Sequence, residues 1–270
     1  RDCLIYANGE FIHRNVPPQN HYETAKKDAD KGKKGNRWLS SFFLILIISV
    51  AVLFLLPYLN GSRAEKEPSD AVSQEENVPA AAPGGDVPGK KFIEVNYDWN
   101  YGGANWTYSM KIPESAYDYY KTVDRNKIKD YSYYVTDPTD DEYLARLADK
   151  FREEAGKVNY SDLEMVKNVI FFVQSLNYVD DKVGTGYDEY PKFPLETLAD
   201  QGGDCEDSAI LLASLLRELG YGTVLLQFQD HMAVGIKGES SIRGSYLELD
   251  GSRYYYVETT STGWDIGEVP

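Results

Sequence analysis

The chain has 270 residues, with 28 Lys and Arg against 43 Asp and Glu, and a formal charge of -15 at neutral pH. The segment up to Arg37 holds eight basic and five acidic side chains, a balance of +3, which leaves -18 for the remainder. A surface that acidic excludes nucleic acid and anionic lipid as partners of the larger part. It suits a salt-rich medium or simple solubility.

Residues 1–37 are too short and polar to form a core, and they start at Arg1 rather than Met, as a fragment of a longer chain would. Cys3 alone makes no metal site. From Leu39 to Leu56 the chain carries no charge and is almost wholly Leu, Ile, Phe and Val. As a helix that run crosses a hydrocarbon layer of about 30 Å, and a transmembrane helix is expected over 38–59. Lys26, Lys27, Lys31, Lys33, Lys34 and Arg37 precede it, whereas only Arg63 and Lys66 follow closely. The positive side stays in the cytoplasm, so 1–37 is expected to be cytoplasmic and everything after the span extracytoplasmic. The run ends in Leu-Pro-Tyr-Leu and not in small residues, which fits an uncleaved anchor better than a signal peptide.

Residues 60–90 change to Pro, Ala, Gly, Glu and Ser with no periodic apolar face, the composition of a flexible tether. That leaves 91–270 as one folded domain of ordinary size. Alternation of Tyr, Trp and polar residues about Gly102-Gly103 predicts a hairpin or extended arm over Phe92 to Met110. Helices follow: Thr139 with Glu142 and Ser161 with Glu164 both match a capping box, and Leu163, Val166, Val169, Ile170 and Val173 recur at helical spacing. Asp180, Asp181, Asp188 and Glu189 lie in a Gly, Tyr and Asp loop over 180–194. Their spacing matches no calcium loop, and a solvated acidic loop is expected.

Gln201-Gly202-Gly203-Asp204-Cys205-Glu206-Asp207 then leads into a run that is apolar nearly all round, as a central buried helix is. Asp204 is placed as N-cap with Asp207 reaching back to it, so Cys205 opens the helix. Free backbone N–H groups and the helix dipole there favour thiolate over thiol and suit an oxyanion on an attacked carbonyl. The Gly-Gly-Asp approach is expected to leave room for a substrate backbone against the thiol. A buried structural cysteine is the plainer reading. However, Cys205 has no disulfide partner, because Cys3 lies on the far side of the expected membrane span.

Strands are expected over Thr223 to Gln229, His231 to Lys237, Tyr246 to Leu249 and Arg253 to Thr259, the last after an Asp250-Gly251 turn. Met232, Val234 and Ile236 then share one face and His231, Ala233 and Gly235 the other, the latter a shallow face of small residues. If the last strand runs antiparallel to the His231 strand, Glu258 ends beside His231, where it takes the Nδ1 proton and stabilises the imidazolium.

Three blocks, Gly203-Asp204-Cys205-Glu206-Asp207-Ser208-Ala209, Asp230-His231-Met232-Ala233-Val234 and Tyr255-Tyr256-Val257-Glu258-Thr259-Thr260, closely resemble the transglutaminase-like superfamily, a branch of the papain-like cysteine enzymes. The resemblance covers about 91–270. It implies an α+β fold whose nucleophile opens a central helix packed on an antiparallel sheet. It also implies a triad of Cys205 as nucleophile, His231 as general base and then acid, and Glu258 as orienting acid. Many members have Asp in the third place, one methylene shorter. The implied chemistry is acyl transfer through a thioester on protein or peptide substrates near the outer membrane face, with hydrolysis favoured over crosslinking to a lysine amine. No cofactor and no metal are expected, because one Cys and one His outside the membrane cannot supply a zinc ligand set. The alternative from another class is an inactive tethered binding domain that uses some of the 22 tyrosines, clustered at Tyr117 to Tyr120, Tyr131 to Tyr134 and Tyr254 to Tyr256.

Overall fold

The computed structural model describes residues 91–187 and 189–270, together with the backbone of two strands, β1 (Asp2–Ala7) and β2 (Glu10–Asn15). The expected span at 38–59 and the tether at 60–90 lie outside the described residues. Among those described, no helix is long and apolar enough to cross a membrane.

The domain mixes helix and sheet, as expected of the α+β class. It opens with the hairpin β3 (Phe92–Tyr101) and β4 (Ala104–Pro113), paired in register from Phe92↔Pro113 to Tyr101↔Ala104. Gly102 and Gly103 turn it with φ of 61° and 78°, a conformation open to glycine and strained for other residues. Val95, Tyr97 and Trp99 point inward. The Tyr97 hydroxyl donates to Leu198 O (2.7 Å) and Trp99 Nε1 to Asn168 Oδ1 (2.7 Å), so each large ring is buried with its polar atom satisfied.

Helices α1 (Glu114–Lys121), α2 (Ser132–Thr136), α3 (Asp141–Lys157) and α4 (Asp162–Gln174) follow. The capping box of Ser161 and Glu164 forms as the spacing predicts. Its apolar stripe is buried at Val166, Val169, Ile170 and Val173, while Leu163 in the first turn stays exposed. The box expected at Thr139 and Glu142 does not form. Asp140 stands at the N-cap without a side-chain cap, its buried carboxylate accepting the backbone N–H of Leu195 (3.1 Å), and Glu142 pairs with Arg146. A tertiary bond has taken the position that local spacing assigned to a cap.

A two-residue strand β5 (Asn177–Tyr178), one turn α5 (Asp181–Gly184), α6 (Pro194–Asp200), β6 (Gly202–Gly203) and α7 (Cys205–Glu218) lead to β7 (Thr223–Gln227), β8 (Met232–Gly238), β9 (Tyr246–Leu249) and β10 (Ser252–Val257). The main sheet has the order β2-β1-β7-β8-β10-β9 with every neighbour antiparallel. Helix α7 is the centre of the domain. Ile210, Leu211, Leu212, Leu215 and Leu216 are buried between α2, α3, α4 and α6 on one side and β7 and β8 on the other. At about 1.5–3 kcal/mol for each fully buried aliphatic side chain, this helix contributes heavily to the apolar stability of the fold.

The expected alternation of β8 holds: Met232, Val234 and Ile236 join the core under α7, and Ala233 joins a second cluster on the opposite face. That face is filled, not shallow. A Cβ on Gly235 would lie 2.7 Å from Val224 Cγ2, so glycine there admits neighbouring side chains of the sheet.

Candidate active site

Two glycines shape the approach to α7. Helix α6 ends at Gln201 in the left-handed region (φ 53°), and Gly202 and Gly203 then pair in parallel with Asn177 and Tyr178. A Cβ on Gly202 would come within 2.3 Å of Asn177 O, and one on Gly203 within 2.2 Å of Asp207 Oδ2. Both glycines are buried, and the space they leave is taken by the protein itself, not kept open for a substrate backbone. Backbone bonds from Asn177 N to Gln201 O (3.1 Å) and from Val179 N to Gly203 O (2.9 Å) extend this ladder.

The cap forms as expected. Asp204 accepts from Asp207 N (3.4 Å), Asp207 Oδ2 accepts from Asp204 N (3.4 Å), and Cys205 is the first residue of α7. Asp207 is completely buried and also accepts the backbone N–H of Lys192 (2.7 Å). The equally buried Lys192 ammonium lies 3.4 Å from Asp207 and donates to Gly202 O (3.0 Å). Breaking such a buried pair leaves an uncompensated charge, at a cost of about 3–5 kcal/mol. The helix end that carries Cys205 is therefore firmly held.

The thiol itself differs from expectation. Its hydrogen bond goes to Glu206 Oε2 (3.0 Å). Burial, the Glu206 hydrogen bond and the charges of Glu206 and Asp204 together push the thiol well above the ordinary cysteine range, outweighing the backbone N–H of Met232 that faces the sulfur. Helix-end stabilisation of a thiolate is thus overridden by burial first and then by the local carboxylates. The Met232 contact nonetheless puts the sulfur at the start of β8, one residue from His231.

His231 and Glu258 lie just outside the ends of β8 and β10, whose register runs from Arg253↔Gly238 to Val257↔Val234. Their side chains meet as expected, but through Nε2: His231 Nε2 is 3.0 Å from Glu258 Oε2. The nitrogen facing the carboxylate is thus Nε2, the reverse of the expected assignment. Phe228 stacks on the imidazole at 6.4 Å and 17°.

Glu258 is 1 % exposed. Its Oε2 also accepts from the Tyr256 hydroxyl (2.8 Å), and Oε1 from Thr259 N (2.9 Å), Thr260 N (2.9 Å) and Thr260 Oγ1 (2.7 Å). Burial alone would push the carboxyl up, but the bonds from His231, Thr260 and Tyr256 prevail and hold it at about 2. It is a fixed anion, suited to stabilise an imidazolium. Gln174, at the end of α4, donates to Glu258 O and Trp264 O (2.9 Å each) and accepts from Gly263 N (3.2 Å), pinning the backbone on which this anion sits.

Sequence reasoning missed Glu206, Lys192, Gln174, Tyr256 and Thr260 as site residues. Gln174 had one local signal, a polar residue directly after the buried Val173. Glu206 and Thr260 adjoin the singled-out residues but required a three-dimensional view of their acceptors and donors.

The buried carboxylates predict a stability profile. Burial pushes Asp140 up to about 7, with the charges of Asp137 and Asp141 adding to the effect. A raised carboxyl contributes stability that is complete below its ordinary range and is lost as pH rises through the folded value; the depressed Glu258 contributes stability lost as pH falls toward about 2. The melting temperature is therefore expected to rise as pH is lowered from about 8 to about 5 and to fall again below about 4. Calorimetry across that range checks it, and a steady fall from 8 to 5 would mean that Asp140 is ionised in the fold.

No protein-family model matches the chain, and no curated protein matches it.

Proposed function

We propose that the chain is a membrane-anchored cysteine enzyme of the transglutaminase-like type, with a papain-like core and Cys205, His231 and Glu258 as its triad. The observation that carries this reading is the fixed anion at Glu258 on His231 Nε2, with the Cys205 sulfur facing the backbone N–H of the next residue, Met232. In this reading Cys205 attacks a carboxamide or peptide carbonyl. A carbon–sulfur bond forms, the thiol proton passes to His231, and His231 returns it to the amine that leaves as the carbon–nitrogen bond breaks. Water then releases an acid, making the activity that of a protease or amidase; a lysine amine would instead give an isopeptide crosslink. Substrates are proteins or peptides near the outer membrane face, and hydrolysis is the favoured outcome.

Incubating the full chain with an activated acyl donor and following its intact mass tests this. A thioester adduct is expected, and its partition between acid and amide identifies the acceptor. Failure of every donor to form an adduct would favour the second reading, an inactive tethered binding domain, whose support is the contact that keeps the thiol protonated against Glu206.

The anchor is proposed from the apolar run and the charge preceding it. In a chain that crosses once at 38–59, residues 2–15 and the domain lie on opposite sides; in the six-stranded sheet β1 pairs with β7 of the domain. The two arrangements exclude each other. In Cys205→Ala cells Cys3 is the sole thiol, and a membrane-impermeant maleimide is expected to spare it until lysis. Labelling in intact cells would put Cys3 on the domain's side and remove the single crossing.

A further inference from the structure

Asp181 does not sit in a solvated loop. It is 3 % exposed, and while one carboxylate oxygen accepts the backbone N–H of Tyr190, Oδ1 is buried with no hydrogen-bond partner. One oxygen each from Asp181, Asp204 and Glu206 lie within 4.8 Å of one another. The nearest buried cation, Lys192, is committed to Asp207, Asp200 and Gly202 O. Three converging carboxylates and an orphaned buried oxygen cost free energy that a hard divalent cation would remove.

We propose that Asp181, Asp204 and Glu206 form a calcium site that ties the loop at Asp181 to the first turn of α7. The donors are all oxygens and come from a loop and a helix end, an irregular set that suits calcium better than octahedral magnesium or nitrogen- and sulfur-seeking zinc. Water completes the coordination shell. The site stands on geometry alone.

Calcium chloride titrated into the full chain, with magnesium as comparison, tests this. Calcium at about 1 mM is expected to raise the melting temperature by several degrees. Asp181→Asn is expected to abolish the shift and Glu206→Gln to weaken it. Cys205→Ala should keep the melting shift, so the metal site and the triad fail separately. No melting shift in wild type, an equal response to magnesium, or a wild-type response in both Asp181→Asn and Glu206→Gln overturns the site.

Discussion

Cys205→Ala is expected to fold as wild type, to melt within about 1 kcal/mol of it, and to form no acyl-enzyme. The sulfur is only partly buried, and the atoms that position it do not depend on it. The capping box of Asp204 and Asp207, the Lys192 pair and the ladder of Gly202 and Gly203 with Asn177 and Tyr178 all survive truncation to a methyl group. Turnover, by contrast, loses the one thiol in residues 91–270, and a fall of about 10⁴-fold or more is expected. Initial rates on an amide donor, measured beside circular dichroism and a melt, check both halves. Retained activity in the folded variant would end the covalent mechanism.

Glu258→Gln is the second large effect, a fall in turnover of about 10²–10⁴-fold with little change in KM. All the side-chain contacts of Glu258 described above come from donors or from an imidazole nitrogen. An amide can leave its oxygen toward the Thr259 and Thr260 N–H groups only by aiming its NH2 at His231. Nε2 must then accept, so the neutral ring carries its proton on Nδ1 and cannot take one from the thiol there. The imidazolium also loses its fixed counter-charge. Alkylation of Cys205 by iodoacetamide, which does not need a proton returned to a leaving amine, is expected to stay within about threefold of wild type. A variant that turns over normally would mean that Glu258 only secures the fold.

Much of this site was legible in the chain because its parts are local. The cap at Asp204, the helix start at Cys205 and the inward set of Met232, Val234 and Ile236 follow from spacing alone. The meeting of His231 with Glu258 needed one further assumption, that their strands are antiparallel neighbours, and β8 and β10 satisfy it. Contacts between distant segments were not legible. Thr139 and Glu142 have the right spacing for a cap, yet Asp140 takes the N-cap position while its carboxylate binds Leu195 in α6. Asp181 reads as a loop carboxylate until the fold carries it to the end of α7. The thiol's ordinary helix-end advantage was legible too, but its reversal depends on the burial of the sulfur and the orientation of Glu206, for which spacing is no guide.

The short stretch from Gln174 to Val179 reaches both sides of the proposed triad. At one end the Gln174 amide grips the backbone of Glu258 and of the loop behind it; at the other, Asn177 and Val179 are laced to the two glycines that precede Cys205. These residues act as a crossbeam between two halves that otherwise arrive from separate parts of the chain. The gap between sulfur and imidazole is thus gauged by a piece of backbone that contributes no reacting atom, and a protease cut or an inserted residue within it would detune the pair while leaving the triad chemically complete.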